Sequence, residues 1–342
     1  VGGAGNDAAN YAFYPSTSLT ASQGVSINLA TGVARDGFGY TDSLSGIEII
    51  HASSLADTIT GSDANETIYG NGGADSLGGG NGDDQLYGNS ANETLSGGNG
   101  SDQIAGGDAA DLLMGDSGAD SIYAGNGDDN ITGGDGNDLL FGDSGNDTIA
   151  IGTGTDNAFG GDGNDLIIVS GDGSFDGQTG TDTLQFATTG RNITDAALAS
   201  SNGIEVIDLA GGGNTLNLSA ARVIALSDTD TLQVFGSGTD SVSFSDTGWV
   251  RGTASAGFIT FTNGGATVIV AAGLVPALPS ATEGNDTLTG TTGHDSIAAL
   301  GGNDSVLGLE DQDTIDGGDG NDTIYGGTDD DSLSGGNGDD QI

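Results

Sequence analysis

Cysteine and lysine are both absent from the 342 residues, and the whole basic complement is Arg35, Arg191, Arg222 and Arg251. No disulfide braces this chain. Four cations leave no footprint for nucleic acid or anionic lipid. Without lysine, P-loop and Schiff-base chemistry are closed, and neither an H-E-x-x-H nor a G-x-S-x-G pattern occurs, so the chain reads as no enzyme. Proline numbers 3 and tryptophan 1, and aromatics make up 5% of the chain. The longest apolar stretch, 266–278, is too short to cross a bilayer core of about 30 Å. A charged n-region followed by an apolar segment is also missing at the start, so no signal peptide is visible.

What the chain has in excess is glycine, 67 residues, and acid, 50 residues, for a formal net charge of −46. The acids are spaced. Asp57, Glu66, Asp75, Asp84, Glu93, Asp102, Asp111, Asp120, Asp129, Asp138, Asp147, Asp156 and Asp165 stand nine apart, and two residues after each comes Ile or Leu, with Ala158 the exception. A second array with the same spacing runs through Asp286, Asp295, Asp304, Asp313, Asp322, Asp331 and Asp340, with Leu288, Ile297, Val306, Ile315, Ile324, Leu333 and Ile342 at the apolar place. Nine residues fit neither a helix face nor an alternating strand, so one small unit has been stacked many times.

In Gly133-Gly134-Asp135-Gly136-Asn137-Asp138-Leu139-Leu140-Phe141, the first six residues accept positive φ at low cost and predict a tight turn. The last three predict a very short strand whose middle residue points inward. Two units close one flattened coil. Coils stacked as parallel strands at about 4.8 Å predict an all-β parallel β-roll, or β-solenoid, about 30 Å long for the first array.

One buried aliphatic per nine residues is too little core to order such a chain unaided. Stacking also sets each Asp about 5 Å from the Asp eighteen residues on, a repulsion of about 3 kcal/mol at an effective dielectric near 20. A hard divalent cation between turns answers both problems, and calcium, with six to eight oxygen ligands in flexible geometry, suits carboxylates and Gly-rich carbonyls better than magnesium does. Soft metals lack ligands, since there is no Cys and only His51 and His294. The candidate metal ligands are Asp75, Asp84, Asp102, Asp111, Asp120, Asp129, Asp138, Asp147, Asp156, Asp165, Asp182, Asp286, Asp295, Asp304, Asp313, Asp322, Asp331 and Asp340, with Glu66 and Glu93 as weaker ones. The weakness is expected because Ala64 and Ala91 stand where the repeat places glycine, at a cost of about 1 kcal/mol for positive φ, and because Glu is one methylene longer than Asp. One ion per gap gives roughly 15 calcium ions, which would offset roughly 30 of the negative charges.

The pattern G-G-x-G-x-D-x-U-x, with U a large aliphatic, is met by Gly79-Gly80-Asn81-Gly82-Asp83-Asp84-Gln85-Leu86-Tyr87 and by the units of Asp102, Asp138, Asp165, Asp322 and Asp340. It resembles the repeats-in-toxin (RTX), or haemolysin-type, calcium-binding repeat. The resemblance implies a β-roll with calcium along both edges in a bacterial protein that is exported by type I secretion machinery and folds outside the cell or at its surface.

Four segments are expected: lead-in solenoid coils with one isolated repeat over 1–56, a first array over 57–185, an irregular β module and hinge over 186–282, and a second array over 283–342. The lead-in reads as solenoid with looser spacing, and Gly46-Ile47-Glu48-Ile49-Ile50 is echoed by Gly203-Ile204-Glu205-Val206-Ile207. Ala220 to Leu226 reads as a short helix, Pro276 and Pro279 as a hinge, His51 and His294 as solvated, and Trp249 as a core or strand anchor. The chain stops in mid-unit and is expected to be a fragment, any secretion signal lying beyond it. Texture favours a structural or adhesive region of a large RTX adhesin or surface-layer protein, with any host, surface or matrix ligand held by other regions. The alternative is the calcium-binding C-terminal part of a secreted protease, lipase, alginate epimerase or cytolysin. Ice binding ranks low, since the outward third position shows no Thr ladder.

Overall fold

A computed structural model describes residues 2, 5–12, 23–237, 239–246, 249–251, 258–271, 274, 284–290 and 295–342. It is almost wholly β, with one helix, Ala220–Leu226, among the described residues. Pro276, Pro279 and His294 lie outside the described residues. The chain forms two compact units, the first of residues 1–188, 196–211 and 226–228, the second of 189–195, 212–225 and 229–342.

In the first unit alternate strands go to opposite sheets, as a two-unit coil requires. One sheet stacks Ala8–Asn10, Ile49–His51, Thr67–Tyr69, Gln85–Asn89, Gln103–Asp108, Ser121–Asn126, Leu139–Ser144, Thr155–Asp162 and Asp172–Thr179, all parallel. The other runs from Ser26–Asn28 through Thr58–Ser62, Ser76–Asn81 and onward to Val206–Leu209, also parallel. From Ile49 to Ile168 most partners are eighteen residues apart, so Leu95 pairs with Leu77 and Leu113, and Ile104 with Leu86 and Ile122. The aliphatic two places after each acid is buried throughout the first array and makes the core.

Seven strands of the first array span six residues, not the three expected. Ser76–Asn81 continues through Gly78, Gly79 and Gly80 in an alternating inward and outward pattern, so the first glycines of each unit belong to the sheet, and only about three residues turn. The lead-in also departs from expectation. Ser26–Asn28 and Ile49–His51 are solenoid strands, but Val33–Arg35 and Thr41–Ser43 fold back antiparallel on Ser26–Asn28 as an added ribbon. Its connections, around Gly32 and Gly39, are short enough for reversals between neighbouring strands, whereas parallel strands need a whole coil between them.

In the second unit Asn192–Thr194, Thr215–Leu218 and Ser241–Phe244 stack in parallel. Phe258–Asn263 and Ala266–Ala271 form an antiparallel hairpin at Gly264-Gly265. Trp249 is buried, stacked on Phe244 at 4.1 Å. The second array gives two three-stranded parallel sheets with Val306, Ile315 and Ile324 between them. Ile342, expected inward, is 63% exposed.

Candidate metal centres

Each repeat acid sits at the turn just before a strand, and the turn fixes its carboxylate by one bond to the preceding coil. Asp84 Oδ1 accepts the Glu66 N–H at 2.7 Å, Asp102 Oδ1 that of Asp84 at 2.8 Å, and Asp120 Oδ1 that of Asp102 at 2.8 Å. The other edge repeats the pattern, from Asp75 accepting Asp57 N–H through Asp111, Asp129, Asp147 and Asp165 to Asp182. Asp138 and Asp156 complete the first edge. In the second array Asp304, Asp313, Asp322, Asp331 and Asp340 accept from Asp286, Asp295, Asp304, Asp313 and Asp322. Asp286 and Asp295 open that array as donors.

The second oxygen of these groups is where the chemistry lies. Oδ2 is buried without a hydrogen-bond partner at Asp75, Asp84, Asp102, Asp111, Asp120, Asp129, Asp138, Asp147, Asp156, Asp165, Asp182, Asp304 and Asp322, as is Oε1 of Glu93. Fourteen orphaned anionic oxygens would each carry a large desolvation cost. Burial raises the carboxyl pKa from 3.8 to about 8 at Asp75 and to about 7 at Asp84, Asp111, Asp120, Asp147 and Asp182, and neighbouring carboxylates add to the rise.

A backbone carbonyl lies beside the open oxygen of Asp75, Asp84, Asp111, Asp120, Asp138, Asp147, Asp165, Asp182 and Asp322. A methyl group on Gly115 would lie 2.4 Å from Asp120 Oδ2 and 2.5 Å from Gly133 O, and one on Gly142 would lie 2.3 Å from Asp147 Oδ2 and 2.5 Å from Gly160 O. Carboxylate and carbonyl therefore look onto the same point, and glycine there leaves it open. Among the described residues no three acidic or histidine side chains converge. The donor set is thus few carboxylates plus carbonyls, all hard oxygens, which fits calcium and no soft metal. Among the described residues four turns carry a buried side chain at the glycine's place: Ala52 before Asp57, Ala124 before Asp129, Ile151 before Asp156 and Ala299 before Asp304.

Not every acid is open. Asp57 is closed by Val25 N–H, Ser53 N–H and Ser53 Oγ–H, and Glu66 by the N–H and hydroxyl of Ser62. The two Glu turns thus separate: Glu93 takes the Asp role, accepting Asp75 N–H at 3.0 Å, whereas the extra methylene of Glu66 swings its carboxylate back onto its own turn. Neither Ala64 nor Ala91 takes a positive φ, so the strain expected there is absent; it falls on Ala109, at 78°.

Four ladder acceptors lie outside the nonapeptide spacing. Glu48 accepts Asp7 N–H at 3.0 Å, Glu205 accepts Asp182 N–H at 3.1 Å, Asn214 accepts Arg191 N–H at 2.8 Å and Asp240 accepts Asn214 N–H at 2.8 Å. The echo of Gly-Ile-Glu at 46–48 and 203–205 was their one signal. Glu205 and Asp240 are closed by protein donors, Asp228 N–H in one case and Ser237 N–H in the other.

The family described as the RTX calcium-binding nonapeptide repeat (4 copies) matches residues 51–86, 87–122, 114–149, 280–315 and 307–342. Residues 51–149 and 280–342 are RTX calcium-binding nonapeptide repeats. Calcium is thus the cation that these repeats take, and the orphaned oxygens meet its preference for hard ligands. No curated protein matches the chain. No helix among the described residues is long and apolar enough to cross a membrane.

Proposed function

We propose that this chain is a calcium-gated structural segment of a secreted bacterial surface protein, in which the arrays over 57–185 and 283–342 stiffen when they meet external calcium and carry the β module 186–282 between them. The observation that supports it most is the row of fourteen buried carboxylate oxygens without a hydrogen-bond partner, nine of them beside a backbone carbonyl. Bound calcium would supply the positive charge that lets these groups stay ionised while buried. The chain's part is to fix one oxygen of each acid by an N–H, to aim the other, and to hold the carbonyl opposite.

The ligands in this reading are Asp75, Asp84, Asp102, Asp111, Asp120, Asp129, Asp138, Asp147, Asp156, Asp165, Asp182, Asp304, Asp313 and Asp322, joined by Glu93 as a full member and by Asp286, Asp295, Asp331 and Asp340 at the ends of the second array. Glu66 is closed by Ser62 and takes no ion. The turn at Asp156, where Ile151 replaces the open glycine, binds last. Export through type I machinery in an unfolded state suits a chain whose buried charges forbid folding until calcium arrives. Equilibrium dialysis with metal counting at a few millimolar calcium tests the assignment. About 15 ions per chain are expected; a count of a few would overturn it.

A further inference from the structure

The outward face of the first unit's all-parallel sheet carries a column of stacked rings with one rung missing. His51 stacks on Tyr69 at 4.7 Å and Tyr69 on Tyr87 at 4.9 Å; farther along, Tyr123 stacks on Phe141 at 5.0 Å and Phe141 on Phe159 at 4.9 Å, every pair within 9° of parallel. Between the two stacks the register places Ala105, paired with Tyr87 on one side and Tyr123 on the other. Gln103 and Gly107 flank Ala105 on the same face, and a hollow of about 250 Å³ opens on the Tyr87 side of Ala105, lined by Tyr69, Tyr87, Ala105, Gly107 and the amides Asn71 and Asn89, while Tyr123 stands across Ala105 outside that lining.

Two strand spacings separate the Tyr87 and Tyr123 rungs, so the gap between rings is about 9.6 Å. A neutral ring held midway would sit about 4.8 Å from each wall, the spacing of the column's own rungs, so width alone does not choose the occupant and charge does. A cation midway is about 4.8 Å from both ring centroids, within the roughly 6 Å reach of cation–π attraction, and a trimethylammonium group fills the width. The formal charge of −46, still well below zero after calcium loading, draws cations and repels anionic rings. Asp108 lies on the same strand as Ala105, exposed.

We infer that the missing rung at Ala105, between Tyr87 and Tyr123, is a binding slot for a free small quaternary ammonium ion such as choline, with its hydroxyl toward Asn89. The slot rests on the calcium-loaded fold, and circular dichroism at the same calcium reports that fold independently. Choline is titrated into the calcium-loaded chain, following tyrosine fluorescence and the N-methyl proton signal, against 3,3-dimethylbutan-1-ol, its uncharged isostere. Binding to choline and not to the isostere is expected. Ala105→Tyr completes the ring column, should leave the dichroism spectrum unchanged and should abolish binding; Tyr87→Ala should weaken it about tenfold. Equal binding of the isostere, or unchanged choline binding by a folded Ala105→Tyr chain, would overturn the assignment.

Discussion

Replacing Asp138 by Asn separates the cation role of a repeat acid from its hydrogen bond. Oδ1 of Asp138 accepts the Asp120 N–H at 3.0 Å, and an amide oxygen keeps that bond. Oδ2 is buried without a partner, and an NH₂ in its place repels a cation. In chelator Asp138→Asn should therefore be neutral or stabilising, because it removes a buried carboxylate whose pKa burial has raised. In calcium it should lose the linkage term, about 2.7 kcal/mol when calcium exceeds the site's Kd a hundredfold. The deficit should grow by about 1.4 kcal/mol for each further tenfold rise in calcium. Glu66→Gln is the control: it disturbs the Ser62 bonds and should cost about 1 kcal/mol at every calcium concentration. Urea unfolding followed by circular dichroism at three calcium concentrations reads all three slopes. Parallel lines for Asp138→Asn and the parent chain would refute the reasoning.

Protons should substitute weakly for calcium. Burial raises the folded pKa values of the first array's acids, to about 7 or 8 at six of them, so the cost of ionising them in the rod is full above about 8 and vanishes below about 4. Strand content in chelator should rise as pH falls through that window, and a flat or falling trace would contradict the assigned burial. Ala109→Gly should stabilise the first array by about 1 kcal/mol, as judged by the urea midpoint, because it relieves the positive φ at Ala109, while Ala64→Gly and Ala91→Gly should give no such gain.

Much of this was legible because the period is rigid. An acid every nine residues with an aliphatic two places on specifies which side chain enters the core, which strand follows and where the carboxylates stack. The short helix at Ala220–Leu226 was readable in its alanine-rich run between strands. Strand length was not, because Gly78, Gly79 and Gly80 have turn composition, and only pairing with neighbouring coils shows them extended. Nor was the split between open and closed acids, which turns on a serine four residues earlier: Ser53 closes Asp57 and Ser62 closes Glu66. The ladder also continues past the arrays through Glu205 and Asp240, but there the coils lengthen to 23 and 26 residues and no fixed period marks them.

The central claim is that calcium, held by the orphaned carboxylates, is what makes this sequence fold. Far-ultraviolet circular dichroism of the chain in chelator at neutral pH, then on adding calcium, tests it most directly. The account predicts a coil-like spectrum that converts cooperatively to strand at about 10⁻⁴–10⁻³ M calcium, with magnesium at the same concentration doing much less. Full strand content in chelator would contradict it.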